Sequence, residues 1–82
     1  MTASRPISPE SVMLLLNRAT VAHLAAQDAV DVSDRDEAKF QHILRESLIT
    51  LIKELSGDDP AQLRAQILLI ARAYRKREAF IR

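Results

Sequence analysis

Hydrophobic residues recur along this chain in three blocks, at the three- and four-residue spacing of α-helices. The pattern predicts helices over residues 8–29, 33–56 and 59–81, in a single helical domain that spans 8–82. Residues 1–7 show no periodicity and are predicted to form a flexible N-terminal arm. No segment shows the two-residue alternation of β-strands. The expected fold class is therefore all-α. It is a three-helix bundle in which a short turn makes helices two and three a long antiparallel hairpin, with the N-terminal helix beside it.

Residues that favour helix ends stand at the predicted boundaries. Ser8, Ser33 and Asp59 are expected to cap the N-termini of the three helices, because their side-chain oxygens can accept hydrogen bonds from the first turn. Gly57 is the only glycine in the chain, and it stands where the second helix needs a left-handed residue to end. These signals support the three predicted helices.

Each helix is expected to bury an apolar stripe. The second helix is the most clearly amphipathic, and Ile49 is the one large apolar residue on its polar side. Its predicted core stripe consists of Phe40, Ile43, Leu44, Leu48, Leu51, Ile52 and Leu55. The predicted core stripe of the third helix consists of Leu63, Ile67, Ile70, Tyr74 and Ile81.

More apolar residues are present than three helices of one chain can bury with one stripe each. The surplus comprises Ile49, Leu68, Leu69, Phe80 and part of residues 12–16. A chain of this size buries only roughly 60–65% of its unfolded surface, and without cysteine it has no disulfide to stabilise it. We therefore predict a homodimer, because a symmetric interface buries the same patch on both copies.

A net charge of +1 conceals an uneven distribution of charge along the chain. Residues 28–59 carry nine acidic and four basic residues, a net charge of −5, and residues 60–82 carry six basic and one acidic, a net charge of +5. Acidic residues at helix starts suit the helix dipole. Antiparallel packing of helices two and three would also place the basic residues 72–82 beside the acidic residues 34–37.

Motifs for enzymatic chemistry are absent from the sequence. His23 and His42, the only histidines, lack further ligands at helical spacing and are expected to be ordinary residues of polar faces. The acidic residues 28–36 lack the glycine and glutamate of a calcium-binding EF-hand loop, and one glycine cannot form a phosphate-binding loop. We expect no catalytic residues, no metal and no cofactor.

Length and composition also bear on location. No apolar run approaches the ~18 residues of a membrane span, and no secretory signal is recognisable. The absence of cysteine agrees with a reducing compartment. We therefore expect a cytoplasmic protein with no membrane partner.

Basic and apolar residues meet on the third helix, and this combination is typical of protein interfaces. The predicted partner-binding residues are Leu68, Leu69, Arg72, Arg75, Lys76 and Phe80. The predicted function is a small helical protein–protein interaction module, such as an adaptor, regulator, chaperone or inhibitor. Two alternatives remain open at this point. One is a nucleic-acid-binding regulator that places the basic C-terminal helix on phosphates, and the other is a structural subunit of a helical assembly.

Overall fold

A computed structural model describes residues 8–81, apart from the side chains of Phe80 and Ile81. It contains three α-helices: α1 (Pro9–Asp31), α2 (Arg35–Ser56) and α3 (Pro60–Ile81). They pack as a three-helix bundle, and residues 8–81 contain no β-strand, so the predicted all-α fold class is confirmed. The arm predicted for residues 1–7 lies outside the described residues.

Three of the four predicted capping residues lie at the helix ends where they were expected. The Ser8 hydroxyl accepts a hydrogen bond from the Ser11 N–H at 3.2 Å, and the Asp59 carboxylate accepts one from the Ala61 N–H at 3.2 Å. Gly57 ends α2 with a left-handed φ of 79°, and its N–H donates to the Lys53 carbonyl at 2.8 Å.

The cap predicted for α2 is wrong by one residue. Asp34 caps this helix, and its carboxylate accepts a hydrogen bond from the Glu37 N–H at 3.1 Å. Ser33 instead adopts a positive φ of 60° in the turn after α1. A left-handed residue reverses the chain direction there, which leaves the next residue, Asp34, in position to cap the new helix.

α1 and α2 are antiparallel neighbours. Leu16 of α1 shares the buried core with Ile52 of α2, and His23, two turns further along α1, contacts Arg45 of α2. From Leu16 to His23 the residue numbers rise along α1, while those of the neighbouring α2 residues fall from Ile52 to Arg45. The two helices therefore run in opposite directions.

α3 runs parallel to α1 and extends along it. Leu16 shares the core with Leu63 near the start of α3, while Arg75 near the end of α3 binds Asp28 near the end of α1. α2 and α3 contact each other less extensively than α1 contacts either of them. The expectation that the basic end of helix three lies against residues 34–37 is therefore wrong for Arg75, whose acidic partner on a neighbouring helix is Asp28 of α1.

The core lies where all three helices meet. Its buried members are at most 3% exposed: Leu16, Ala19, Ile49, Ile52, Leu63 and Ile67. Val12, Leu15, Leu48 and Ile70 are partly buried against them. Tyr74, predicted for the core, is 55% exposed because it lies beyond this meeting point, in the groove between α1 and α3.

The side of α2 that faces the core differs from the prediction. Ile49, expected on the polar side and counted as surplus, is 1% exposed and belongs to the core with Ile52. Most of the predicted stripe lies outside it, and we call these residues the α2 stripe: Phe40 (59% exposed), Ile43 (54%), Leu44 (40%), Leu51 (40%) and Leu55 (47%). Compared with the predicted orientation, α2 is rotated about its own axis by about 100°, which is the angle between successive residues of an α-helix. Its most apolar face therefore remains uncovered within one chain.

Candidate protein-binding surface

The outward face of α3 carries four of the six predicted partner-binding residues. Leu68 and Leu69 are 52% and 63% exposed. Arg72 and Lys76 are also exposed, and they follow Leu68 at successive four-residue steps. Leu68, Leu69, Arg72 and Lys76 thus form one continuous surface, which we call the α3 outer patch.

Arg75 is not part of this patch. Its guanidinium donates to the Asp28 carboxylate at 2.7 Å and to the Leu24 carbonyl at 3.5 Å, and it lies 3.7 Å from Glu78. The hydrogen bond to Asp28 raises the pKa of Arg75 further above its usual range. Arg75 therefore ties α3 to α1. The side chain of Phe80, also predicted as a binding residue, lies outside the described residues.

Arg64 is occupied in a similar way. It donates to the Glu46 carboxylate of α2 at 2.7 Å, and this hydrogen bond is the main cause that lowers the pKa of Glu46. Arg72 and Lys76, in contrast, form no ion pair with any residue of the described part of the chain. The structure thus separates basic residues of α3 that hold the bundle together from basic residues that point away from it.

A polar cluster between α1 and α2 was missed in the sequence. His23 is only 8% exposed, so its prediction as an ordinary polar-face residue is wrong. Arg45 donates to Nδ1 of His23 at 2.8 Å and to Nδ1 of His42 at 3.0 Å, and it forms an ion pair with Glu46 at 3.1 Å. Because arginine can only donate, both Nδ1 atoms act as acceptors. Nε2 of His23 therefore carries the proton of the neutral ring.

The surroundings of His23 disfavour its protonated form. Burial lowers the pKa of His23, and the positive charges of Arg45 and Arg75 lower it further. Its Nε2 atom is buried and has no hydrogen-bond partner in the part of the chain that the structure describes. The ring lines a cleft of about 710 Å³ together with His42, Arg45 and Arg75. We interpret the cluster as a structural contact between α1 and α2 that depends on a neutral histidine.

Acid should destabilise the fold through His23. The unfolded chain binds a proton near pH 6.5, whereas the folded chain resists it, so the free energy of unfolding should fall as the pH drops below that value. His23→Gln keeps an acceptor for Arg45 but does not titrate. Urea unfolding midpoints at about pH 7.5 and pH 5.5 should therefore differ less for His23→Gln than for the wild type.

The control for this experiment is His42→Gln. His42 also accepts from Arg45 but is exposed. This variant should keep most of the acid sensitivity of the wild type. If the free energy of unfolding falls equally in the wild type and in His23→Gln between about pH 7.5 and pH 5.5, then His23 is not the group responsible. Glu46 does not interfere. Its lowered pKa makes the free energy of unfolding depend on pH only below its ordinary value of 4.5, which is outside the pH range compared.

The described residues also bear on metal binding and on membrane insertion. Across residues 8–81, no group of three or more histidines, cysteines or carboxylates is placed to hold a metal ion. Nor does this part of the chain contain a helix that is long and apolar enough to cross a membrane.

Comparisons with protein-family models, curated proteins and solved structures found no match to this chain.

Proposed function

We propose that this chain is a small cytoplasmic protein-interaction module, such as an adaptor, regulator, chaperone or inhibitor. It binds an acidic, partly apolar segment of another protein through the α3 outer patch. One observation carries the proposal: among residues 8–81, Arg72 and Lys76 form no ion pair beside two exposed leucines, whereas Arg64 and Arg75 of the same helix are bound within the bundle. The cations of the patch thus remain available to a partner.

The composition of the patch indicates the chemistry of that partner. Leu68 and Leu69 provide an apolar centre whose burial favours association. Arg72 and Lys76 at its edge attract carboxylates, and such rim charges mainly set association rate and partner choice. A helix with acidic residues one turn apart beside an apolar stripe fits this arrangement.

The proposal is tested by affinity capture from the source cell with a matched pair of charge variants. Arg72→Glu/Lys76→Glu reverses both cations of the patch. Arg35→Glu/Lys39→Glu makes the same change in net charge at exposed positions at the start of α2. A protein retained by the wild type and by the α2 control should be reduced about tenfold or more with the patch variant. Leu69→Ser should weaken the same interaction.

Nucleic-acid binding is the competing outcome. The wild-type protein is titrated into labelled duplex DNA at two salt concentrations. Binding that weakens steeply with salt and is lost in Arg72→Glu/Lys76→Glu would assign the patch to phosphates and overturn the proposal. Capture that is equal for the wild type, the patch variant and Leu69→Ser would also overturn it, because the partner would then bind elsewhere.

A further inference from the structure

Within the described residues, thirteen large hydrophobic side chains are at least 40% exposed. Apolar surface left in contact with water favours burial against a partner, and contiguous patches of it mark interaction sites. One chain alone therefore leaves a substantial face uncovered.

Much of this uncovered face is apolar and lies on α2. The five residues of the α2 stripe are each 40–59% exposed. Leu44 also lines a groove of about 390 Å³ between α1 and α2, and the exposed Leu14 and Val21 of α1 line the same groove. The α2 stripe and the edge of α1 are thus neighbouring apolar surfaces on the α1–α2 hairpin, joined by a groove that Arg18 and Gln41 also line.

The spacing of the α2 stripe makes it complementary to itself. Four members stand at positions 40, 44, 51 and 55, symmetrically about the midpoint between Ser47 and Leu48. Against an antiparallel copy of α2, Phe40 would meet Leu55 and Leu44 would meet Leu51, each pair occurring twice. A two-fold interface requires this relation, because residue i must contact j while j contacts i. Ser47, next to the midpoint, is small enough for the helices to approach closely.

We propose that a second copy of this chain covers the α2 stripe in an antiparallel α2–α2 contact. The two α1–α2 hairpins then form a four-helix bundle, and both α3 outer patches remain exposed. Half-exposed Phe and Leu side chains offer roughly 100 Å² each, so the four paired residues of the two copies bury about 800 Å². Leu14 and Val21 of each copy bring the buried area to about 1,200 Å², which reaches the lower limit for a stable interface. This inference does not depend on the proposed function of the α3 outer patch.

Sedimentation equilibrium of the full chain tests the proposal. At tens of micromolar the wild type should be a dimer. Leu44→Asp places a carboxylate opposite Leu51 of the partner copy on each side of the midpoint and should weaken association on the order of 100-fold. Leu69→Asp, an identical change on the α3 outer patch, should leave the dimer intact. Circular dichroism of each variant monitors helicity.

Two results of this measurement would overturn the proposal. One is a wild type that remains monomeric at these concentrations. The other is a dimer that persists in Leu44→Asp, because association would then use another face. The pair of leucine variants also separates this proposal from the proposed function, since Leu69→Asp should impair partner capture but not dimerisation.

Cross-linking tests the register even if Leu44→Asp fails to fold. The chain has no cysteine, so a single introduced cysteine reports on its own position. In the proposed register the two copies of residue 47 are offset by about 1.5 Å along the helices, which places Ser47→Cys within disulfide reach across the interface. Gln66→Cys, exposed on α3, is the control. Rapid disulfide formation by Ser47→Cys alone supports the proposal, and equal rates for both variants contradict it.

Discussion

Ile49→Ala should lower the free energy of unfolding by about 2–5 kcal/mol. Ile49 is 1% exposed and belongs to the core cluster, to which all three helices contribute. The substitution removes three carbon atoms and leaves a cavity between helices that are tied together at their ends and cannot easily collapse into it. Urea unfolding, followed by circular dichroism at a fixed protein concentration, measures the change. In a chain of this size such a loss is a large part of the total stability.

Leu69→Ala is the matched control. It removes the same number of carbon atoms from a residue that is 63% exposed on α3, and it should change the free energy of unfolding by about 0.5 kcal/mol or less. If α2 packed as its sequence pattern suggests, Ile49 would lie on the polar side and the two variants would behave alike. A loss below about 1 kcal/mol for Ile49→Ala would therefore contradict the observed orientation of α2.

The helices themselves could be predicted because local chemistry determines where they begin and end. Ser8, Asp59 and Gly57 supply capping interactions that depend only on neighbouring residues. The cap of α2 was misplaced by one residue because Ser33 and Asp34 are both good capping residues. The choice between them depends on the backbone of the turn, where Ser33 adopts a positive φ.

The orientation of α2 could not be predicted, because an amphipathic pattern identifies the apolar face and not the surface that covers it. The α2 stripe is the most apolar side of the helix, yet α1 and α3 cover the side that bears Ile49 and Ile52. An amphipathic pattern looks the same whether its apolar face is covered by the same chain or by another chain. In the proposed dimer, a second copy of the chain covers the α2 stripe.

The candidate site on α3 was predicted only in part, for a related reason. Arg72, Arg75 and Lys76 look equivalent in the sequence, and only the packing distinguishes them. Arg75 is bound by Asp28, which is 47 residues away and comes into reach only because α3 runs parallel to α1. The buried role of His23 was missed likewise, since Arg45, the donor to its ring, lies 22 residues further along the chain.

Small residues on α1 set how closely the three helices approach each other, and enlarging one should separate them. Ala19 is 0% exposed and belongs to the core cluster with Ile52 of α2 and Ile67 of α3. Ala19→Leu adds three carbon atoms where no space is available. It should therefore destabilise the fold by about 1–3 kcal/mol, even though leucine is more hydrophobic than alanine. Thermal or urea unfolding measures this loss.

Ala25→Leu provides the comparison within the same helix. Ala25 is half-buried beside the groove of about 460 Å³ between α1 and α3, so a leucine can extend into it and should change stability by about 0.5 kcal/mol or less. Equal stability of Ala19→Leu and the wild type would mean that the helices are further apart at Ala19 than the structure shows. The contrast between the two alanines thus tests whether α1 packs closely against α2 and α3 at Ala19 but leaves space beside Ala25.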